Sequence, residues 1–455
     1  TWMDILQTYI KMGLLNLQAE YRAFLKNECM TTLLIILFVL GYAFIAFEHS
    51  FKINKAATAL LTAALCWSVY ALGTSNKEEV VQHLSGHLGD ISGILFFLLG
   101  AMVIVELIDA HDGFELITQK IETTDKKKLV WLLAFITFFL SAVLDNLTTT
   151  IVMVSLLRKL IADRKERMLY AGLVVIAANA GGAWSPIGDV TTTMLWIGGQ
   201  ITAGNIIFKV FLPSLVSMLV PAYLIGRQLK GNVSKRPEVL QNKNFTYSAR
   251  ERNLVFWLGV GCLLMVPVFK TITHLPPYMG ILFGLGIMWV CTEMIHSKKD
   301  EREKGVLSVN HALRKIDTPS ILFFLGILLC VSVLESTHIL QTAAQWLDTT
   351  IGNISAITMT IGLLSALVDN VPLVAGAQGM YSLDQYPTDH YFWEFLAYAA
   401  GTGGSALIIG SAAGIAAMGM EKISFFWYLK TISFLALLGY FAGALTYVLQ
   451  HQFLG

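Results

Sequence analysis

Long apolar runs alternate with short polar segments along most of the chain. A helix needs about 20 mostly apolar residues to cross a bilayer, so these runs predict membrane-spanning helices. Residues 1–28 mix apolar and charged positions at helical spacing, which predicts an amphipathic helix at the membrane interface or, as the alternative, a short first span. The predicted spans cover residues 30–47, 55–73, 91–110, 168–200, 206–226, 253–270, 277–297, 319–336, 393–420 and 424–449.

Two further apolar segments, residues 129–157 and 353–380, do not fit a simple count of spans. Each holds an Asp-Asn pair near its middle, in "LSAVLDN" and in "LSALVDN". Lys and Arg flank the first segment on both sides, whereas residues 338–395 contain neither. Because cytoplasmic loops carry the excess of Lys and Arg, we expect two re-entrant hairpins that enter the membrane from opposite faces.

Three pairs of similar stretches occur in the same order in the two halves of the chain. They are "ISGILFFLLG" with "PSILFFLGIL", "LSAVLDN" with "LSALVDN", and "AANAGGAWSPIGDVTT" with "AAGTGGSALIIGSAAG". The charge pattern gives the two copies opposite orientations, and inverted repeats are typical of secondary transporters. The sequence therefore predicts an all-α polytopic membrane protein with two inverted-topology repeats, 29–226 and 253–455, joined by a charged cytoplasmic linker at 227–252.

A Gly-rich stretch interrupts one predicted span in each repeat, at 168–200 and at 393–420. Glycine is conformationally permissive and proline removes a backbone donor, so each of these spans is predicted to be a broken helix. Non-helical backbone at membrane depth has to be buried in protein or line a water-filled cavity. The residues predicted to break the helices are Gly181, Gly182, Pro186, Gly188, Gly403, Gly404 and Gly410.

Side chains around the hairpin turns and the helix breaks offer carboxylate, amide and hydroxyl groups, in a chain with only 14% charged residues. An ionisable residue at membrane depth predicts a functional site. Hard cations prefer oxygen ligands, and no Lys or Arg accompanies these groups, so the pattern favours a small monovalent cation or a proton. The candidates are Asp145, Asn146, Thr148, Thr149, Asn179, Ser185, Asp189, Thr191, Thr192, Asp369, Asn370, Thr402 and Ser405.

The remaining reactive residue types favour structural roles. The five cysteines are scattered without metal-ligand spacing, so they are expected to pack in the core. The 10 histidines lie mostly in loops or near span ends, where solvated or capping roles are expected, and His111 and His338 are candidates for sensing pH. No catalytic triad, phosphate-binding loop or His-Glu-x-x-His motif stands out. We therefore expect no enzyme activity, no cofactor and no nucleic-acid partner.

From about Met30 onwards the chain resembles the NhaD-type sodium/proton antiporters of the ion transporter superfamily. The resemblance rests on "LSAVLDNLTTT", "AANAGGAWSPIGDVTTT", "LSALVDNVPL" and "GTGGSALIIGSAAG" taken together. It implies a homodimer in which each protomer has a scaffold part and a transport part that moves like an elevator. It also implies cation and proton sites where each hairpin tip meets its broken helix, at Asp145, Asn146, Thr148, Asn179, Asp189, Asp369, Asn370, Thr402 and Ser405.

The hairpin tips distinguish this chain from the similar dicarboxylate carriers of the same superfamily, which carry Ser-Asn-Thr there. This chain has Asp-Asn-Leu-Thr and Asp-Asn-Val-Pro instead, so Na+ is expected at Asp145 and Asn146 and at Asp369 and Asn370. The second tip lacks the threonine, and its ion site is expected to be weaker or to serve only protons.

We therefore expect exchange of Na+, or of Li+, for H+, with cation and proton competing for buried carboxylates, and a role in pH homeostasis. The expected environment is a lipid bilayer, with the chain as a multi-pass protein of a bacterial inner membrane. The first alternative is a Na+-coupled symporter of an organic or inorganic anion, which would show a basic residue in its cavity. The second is an ion channel, which the paired broken helices disfavour because a channel needs no inverted gates.

Overall fold

A computed structural model of the chain describes residues 28–454 apart from 46–47, 119–120, 122, 235–247, 298 and 368. Helices dominate, and these residues form no β-strand. The helices are α1 (Glu28–Ile45), α2 (Glu48–Phe51), α3 (Lys55–Gly73), α4 (Lys77–Ala110), α5 (Glu115–Thr118), α6 (Lys126–Ser141), α7 (Asn146–Leu160), α8 (Arg164–Ala183), α9 (Val190–Ile197), α10 (Ala203–Gln228), α11 (Ala249–Thr273), α12 (Pro277–His296), α13 (Glu301–Leu307), α14 (Val309–Lys315), α15 (Thr318–Ser336), α16 (Ile339–Thr350), α17 (Ile354–Leu364), α18 (Asn370–Met380), α19 (Tyr391–Gly403), α20 (Ala412–Glu421), α21 (Phe425–Thr431) and α22 (Ser433–Leu454).

Eight of the described helices are long and apolar enough to cross a membrane: α1, α3, α4, α10, α11, α12, α15 and α22. This finding confirms the predicted all-α polytopic membrane fold. Observed and predicted bounds agree within a few residues for most of these helices. The span predicted over 424–449 is instead divided between α21 and α22, which starts at Ser433. α4 also differs, since it begins at Lys77 rather than at residue 91. Its first turns are polar, so a search for apolar runs does not include them.

The two segments predicted to be hairpins are pairs of short helices, α6 with α7 and α17 with α18. At 1.5 Å per residue, the 15 residues of α7 extend about 22 Å and the 11 residues of α18 about 16 Å. Both lengths are below the roughly 30 Å of the hydrocarbon core, so neither helix crosses it alone. The chain turns between Ser141 and Asn146 in the first pair and between Leu364 and Asn370 in the second.

Each span predicted to be broken is likewise a pair of helices with non-helical backbone between them. α8 ends at Ala183 before α9 starts at Val190, and α19 ends at Gly403 before α20 starts at Ala412. The predicted helix breakers lie in these gaps or in the last turn before them: Gly181, Gly182, Pro186, Gly188, Gly403, Gly404 and Gly410.

The chain divides into two compact units whose bounds differ from those of the predicted repeats. The described residues of the first unit come from the segments up to Ile91 and from 322–343. Trp67 packs in its core with Val333, and the Trp67 indole N–H donates a hydrogen bond of 3.0 Å to the Leu329 carbonyl. Two distant parts of the sequence therefore build this unit together.

The second unit contains the described residues of 92–321 and 344–455, and with them every candidate site residue. Its central element is α8, which packs against α6, α7, α10, α19 and α20. Every residue of α8 from Tyr170 to Ala183 is buried. A helix at a protein surface buries only one stripe, so burial on all sides identifies α8 as the core helix of this unit.

Two predicted segments lie at least partly outside the described residues. One is the N-terminal helix or short span, of which only Glu28 is described, and the other is the linker predicted over 227–252, of which residues 235–247 are not described. The flanking helices reach into the predicted linker, since α10 ends at Gln228 and α11 starts at Ala249. The division into two repeats about this linker stays a prediction.

Candidate functional site

Four helices of the second unit start at the hairpin turns and the helix breaks: α7, α9, α18 and α20. Their N-cap residues are Asp145, Asp189, Asp369 and Ser411, whose side chains accept hydrogen bonds from backbone N–H groups of the first turn. Asp and Ser are preferred there because they pair with N–H groups that the helix itself leaves unpaired. A helix N-terminus also favours an anionic side chain. The local sequence thus places all three carboxylates.

Asp189 lies at the centre of the site and is only 2% exposed. Its Oδ1 accepts hydrogen bonds from the backbone N–H (3.0 Å) and the hydroxyl (2.8 Å) of Thr191. Its Oδ2 accepts one of 2.6 Å from Nδ2 of Asn146, in the first hairpin. Oδ1 also accepts a longer one, 3.4 Å, from Nδ2 of Asn370, in the second hairpin. Asp189 therefore contacts the tips of both hairpins.

Asn179 of α8 connects residues from both halves of the chain, and it is fully buried. Its Oδ1 accepts a hydrogen bond of 3.1 Å from Asn146 Nδ2. Its own Nδ2 donates to the hydroxyls of Ser405 and Ser411, both at 2.9 Å, in the gap between α19 and α20. The two hairpins and the two helix breaks therefore share one hydrogen-bonded network instead of forming two separate sites.

Asp145 occupies the tip of the first hairpin, next to Asn146 in the chain, and is partly buried. Its Oδ1 accepts a hydrogen bond of 2.7 Å from the Thr148 backbone N–H, and its Oδ2 accepts one of 2.6 Å from the Thr148 hydroxyl. A single residue thus engages both carboxylate oxygens and holds the group at the helix start.

The second tip is bonded differently. Asp369 accepts a hydrogen bond of 3.5 Å from the backbone N–H of Val371. The residue three positions after Asp369 is Pro372, which has neither the N–H nor the hydroxyl that Thr148 supplies in the first tip. Thr402 donates its hydroxyl to the Tyr398 carbonyl at 2.6 Å, so its hydroxyl proton is directed away from the network. The two tips differ in hydrogen bonding as their sequences differ.

Close backbone contacts hold each hairpin against its broken helix. A side chain on Gly188 would meet the Ser141 carbonyl at 2.5 Å, and one on Gly410 would meet the Ser365 carbonyl at 2.7 Å. The hydroxyls of these two serines donate to carbonyl groups of α8 and α19, at 2.6 Å and 3.2 Å. Glycine is required at both crossings because no other residue leaves room for the hairpin backbone.

The side chains that hydrogen-bond to one another in the network carry carboxylate, amide and hydroxyl groups. Such groups are the ligands that hard cations prefer. Within the part of the chain that the structure describes, no group of three or more His, Cys, Asp or Glu side chains is placed to hold a metal ion.

Ser411 is the network residue that the sequence analysis did not select. Its hydroxyl accepts from Asn179 and from the Gly414 backbone N–H, the latter at 3.2 Å. The signal was present, because "AANAGGAWSPIGDVTT" and "AAGTGGSALIIGSAAG" align Ser411 with Asp189. The same alignment pairs Asn179 with Gly401, so the second break has neither the carboxylate nor the amide of the first.

Comparisons with known proteins bear on the family of the chain. The family model described as citrate transporter (CitMHS) matches residues 36–393. Sodium/proton antiporters 1 and 2 of Arabidopsis thaliana are 51% and 49% identical to this chain, each over 92% of it and over 72% and 99% of their own lengths. The Na+/H+ antiporter NhaD of a Vibrio cholerae strain is 30% identical over 92% of this chain and 91% of its own length.

A solved structure supports the fold. The YdaH transporter of Alcanivorax borkumensis superimposes with a TM-score of 0.56, at 10% sequence identity, over 93% of this chain and 98% of that chain. At this level of identity the likeness concerns the architecture alone. Together with the eight apolar helices, the comparisons establish a multi-pass membrane protein of a transporter family and not an enzyme.

Proposed function

Because the chain belongs to the citrate transporter family and, within it, groups with the sodium/proton antiporters that include NhaD, we propose that it exchanges Na+ for H+ across a membrane. Li+ is proposed as a second cation. The observation that carries the proposal is the position of Asp189, a buried carboxylate that contacts both hairpin tips. One ion bound to Asp189 would interact with both hairpin tips.

The proposed binding groups are the residues at the hairpin tips and the helix breaks. Na+ would be held by Asp145 and Asn146 in the first tip and by Asp369 and Asn370 in the second. The other proposed binding residues are Thr148, Asn179, Asp189, Thr402 and Ser405. Carboxylate, amide and hydroxyl oxygens suit a small hard cation, and helix starts place N–H groups beside the carboxylates.

Exchange follows from competition between Na+ and H+ for the same carboxylates. A carboxylate that holds Na+ is not protonated, and a protonated carboxylate is a poor ligand for Na+. If only the cation-bound and the proton-bound forms change the side to which the site opens, each cycle moves the two ions in opposite directions. The proton would be carried by the same buried carboxylates, and the exchange would serve pH homeostasis.

We further propose that the hairpins and broken helices, α6 to α9 and α17 to α20, form the transport part of an elevator. α4, α11 and α12 would belong to the scaffold, and two protomers would pair into a homodimer. The packing of both hairpins and both breaks into one hydrogen-bonded network supports a transport part that moves as one body.

Which membrane holds the protein is a separate proposal. A bacterial inner membrane was expected, and bacterial NhaD proteins are among the relatives. The two Arabidopsis thaliana relatives share more identity with this chain, 51% and 49%, than the Vibrio cholerae NhaD does at 30%. Imaging a tagged copy in cells of its source organism would show whether it lies in a bacterial inner membrane or in a plant membrane.

The test uses proteoliposomes with a trapped pH dye and an imposed pH gradient, to which Na+, Li+ or K+ is added. Na+ and Li+ should dissipate the gradient in the wild type. Asp145→Asn and Asp189→Asn should lose more than 90% of this rate, on the order of the loss expected when an essential charged ligand is removed. If both variants dissipate the gradient at the normal rate, the site assignment is wrong.

Asp163→Asn is the matched control. Asp163 caps α8 as Asp145 caps α7, because its Oδ1 accepts a hydrogen bond of 2.8 Å from the Glu166 backbone N–H. Asp163 is not part of the network. Asn is as good an N-cap as Asp, so all three variants should fold. Exchange that survives in Asp163→Asn and fails in the other two separates ion binding from helix capping.

The alternative is a Na+-coupled symporter of an organic or inorganic anion, which the description of the matching family as citrate transporters favours. An anion in this site would meet carboxylates, and the hydrogen-bonded side chains of the network include no basic group to bind it. Uptake of labelled citrate or an oxyanion driven by a Na+ gradient, without any cation-driven proton movement, would establish the alternative in place of exchange.

A further inference from the structure

A cleft of about 260 Å³ runs along the first hairpin in the second unit. One wall is α7, from Leu147 in its first turn through Ser155 to Lys159 in its last turn. Thr148 also lines the cleft, and its backbone N–H and hydroxyl hydrogen-bond to the Asp145 carboxylate. The cleft therefore extends along the hairpin helix from its basic end to Thr148, which hydrogen-bonds to the carboxylate at the tip.

The rest of the lining comes from the C-terminal part of α4, the turn after it, the start of α5, and the residues from the end of α14 to the start of α15. The two lysines of the lining face five carboxylates, and Lys315 pairs with Glu106 at 3.2 Å. An acidic cleft with low-dielectric walls focuses the electric field and raises the local concentration of cations. The charged lining residues are Glu106, Asp109, Asp112, Glu115, Asp317, Lys159 and Lys315.

We propose that this cleft is the cytoplasmic access path for the exchanged cation, and that Asp109 and Asp112 raise the affinity for a hydrated monovalent cation on that side. The inference rests on the proposed exchange function and names the route to its site. The Lys and Arg residues that flank the first hairpin assign the basic end of α7 to the cytoplasm. An anionic substrate would be repelled along the same route, so the cleft fits a cation.

Asp109 and Asp112 are the positions to replace, because both line the cleft and neither belongs to the proposed binding network. Asn keeps the size of Asp, and it tolerates the left-handed backbone of Asp112, whose φ is 53°.

The first test measures Na+/H+ exchange in everted vesicles, which expose the cytoplasmic face, at low ionic strength. The double variant Asp109→Asn/Asp112→Asn should raise the KM for Na+ roughly threefold or more with little change in kcat. Lys315→Gln removes a positive charge from the cleft and should lower the KM. Both effects should shrink at high concentrations of an inert salt, because the Debye length falls to about 3 Å at 1 M.

Asp300→Asn is the matched control for charge on the same side, since Asp300 is exposed and does not line the cleft. Its KM should equal that of the wild type. An unchanged KM in the double variant, or the same rise in Asp300→Asn as in the double variant, would overturn the proposal.

A second test does not depend on transport. Ser155→Cys, made after the five native cysteines have been replaced, places a thiol in the cleft. A membrane-impermeant cationic thiol reagent should label it from the cytoplasmic side faster than an anionic reagent of similar size, relative to the exposed Ser297→Cys. Equal or reversed selectivity would contradict the acidic cleft. If the wild type shows no exchange but the labelling is selective, the proposed function fails and the cleft stands.

Discussion

Asp189 and Ser411 occupy matching positions in the two helix breaks, and they differ in charge. Both cap the helix that follows them. A buried carboxylate is tolerated only with hydrogen-bond partners, and Asp189 has them in Asn146 and Thr191. Ser411 supplies a neutral hydroxyl to Asn179 instead. Of the two helix breaks, only the first thus supplies a buried charge at this position, so the exchange that we propose depends more on the first break.

The sequence located single residues where a charge interrupts an apolar run, as at Asp145 and Asp189, because such a charge has no inexpensive structural role. It did not locate Ser411, because a small neutral residue in a Gly-rich stretch adds no charge to an apolar run, and only its alignment with Asp189 points to it. It also did not foresee a contact between His111 and His296, which lie 185 residues apart. Pairings over that separation depend on how the helices pack and not on any local pattern.

His111 was expected in a solvated loop or as a pH sensor, and the structure places it fully buried in the turn after α4. Its Nδ1 lies 2.7 Å from the Leu107 carbonyl and its Nε2 lies 2.8 Å from Nε2 of His296. One proton fits between the two facing nitrogens. Burial lowers the pKa of His111 below its ordinary value. The other charged groups that act on it are Lys299, Glu251 and Asp112.

We therefore predict that acid destabilises the protein through this pair. In the unfolded chain His111 takes up a proton below about pH 6.5, whereas the folded state resists protonation. The contribution of the neutral His111 to the free energy of unfolding is fully present above that pH. It is lost as the pH falls towards the lowered pKa of the folded state. The melting temperature in detergent should fall between pH 7 and pH 5, and less so in His111→Gln. An equal fall in the variant would show that other groups are responsible.

At the scale of elements, the sequence predicted both segments that the structure shows as helix pairs with a short turn, and both interrupted spans. Apolar runs, Gly-Pro interruptions and Lys/Arg placement are local signals, and they are strong in this chain. It missed α16, which has only 12 residues and mixes apolar with polar positions, so it forms no apolar run. It also did not predict which hairpin contacts which break, because the Asn146–Asn179–Ser411 connection is made by packing of the two halves.

The glycines at the helix breaks give a prediction for these elements. A side chain on Gly182 would meet the Gly188 carbonyl at 2.5 Å, and one on Gly404 would meet the Gly410 carbonyl at 2.7 Å. Overpacking costs about 1–3 kcal/mol, and here the rigid backbone has to move with the network. Gly182→Ala and Gly404→Ala should each reduce the exchange rate by roughly tenfold or more and lower the melting temperature.

Gly419→Ala is the matched control, since Gly419 lies in α20 and nothing lies within 4 Å of an added side chain. It should keep both the exchange rate and the melting temperature of the wild type. Exchange rates and size-exclusion profiles of the three purified variants decide the matter. Normal exchange in Gly182→Ala and Gly404→Ala would mean that the crossings have more freedom than the structure shows.

At the scale of the whole molecule, the proposed elevator requires that one set of helices slide past another. Contacts within the proposed scaffold are close, as where Gly100 of α4 faces Ile281 of α12. Contacts between α9 and that scaffold involve the end of α9. Nζ of Lys270, in α11, donates a hydrogen bond of 2.9 Å to the Trp196 carbonyl and lies 4.7 Å from the centroid of the Trp196 ring. Phe97 of α4 meets the same ring edge-on, with the ring centroids 6.4 Å apart. These contacts of Trp196 would have to break for α9 to move.

A crosslink tests this motion directly. In a version without native cysteines, Phe97→Cys with Trp196→Cys joins α4 to α9, and a short bifunctional thiol reagent that a reductant cleaves should stop exchange until it is cleaved. Gly93→Cys with Tyr278→Cys joins α4 to α12, where an added side chain on Gly93 lies 3.2 Å from the Tyr278 ring, and its crosslink should leave exchange intact. Exchange at the normal rate with the first pair crosslinked would mean that α9 does not move against α4, and the transport cycle would then have to proceed within a fixed set of helices.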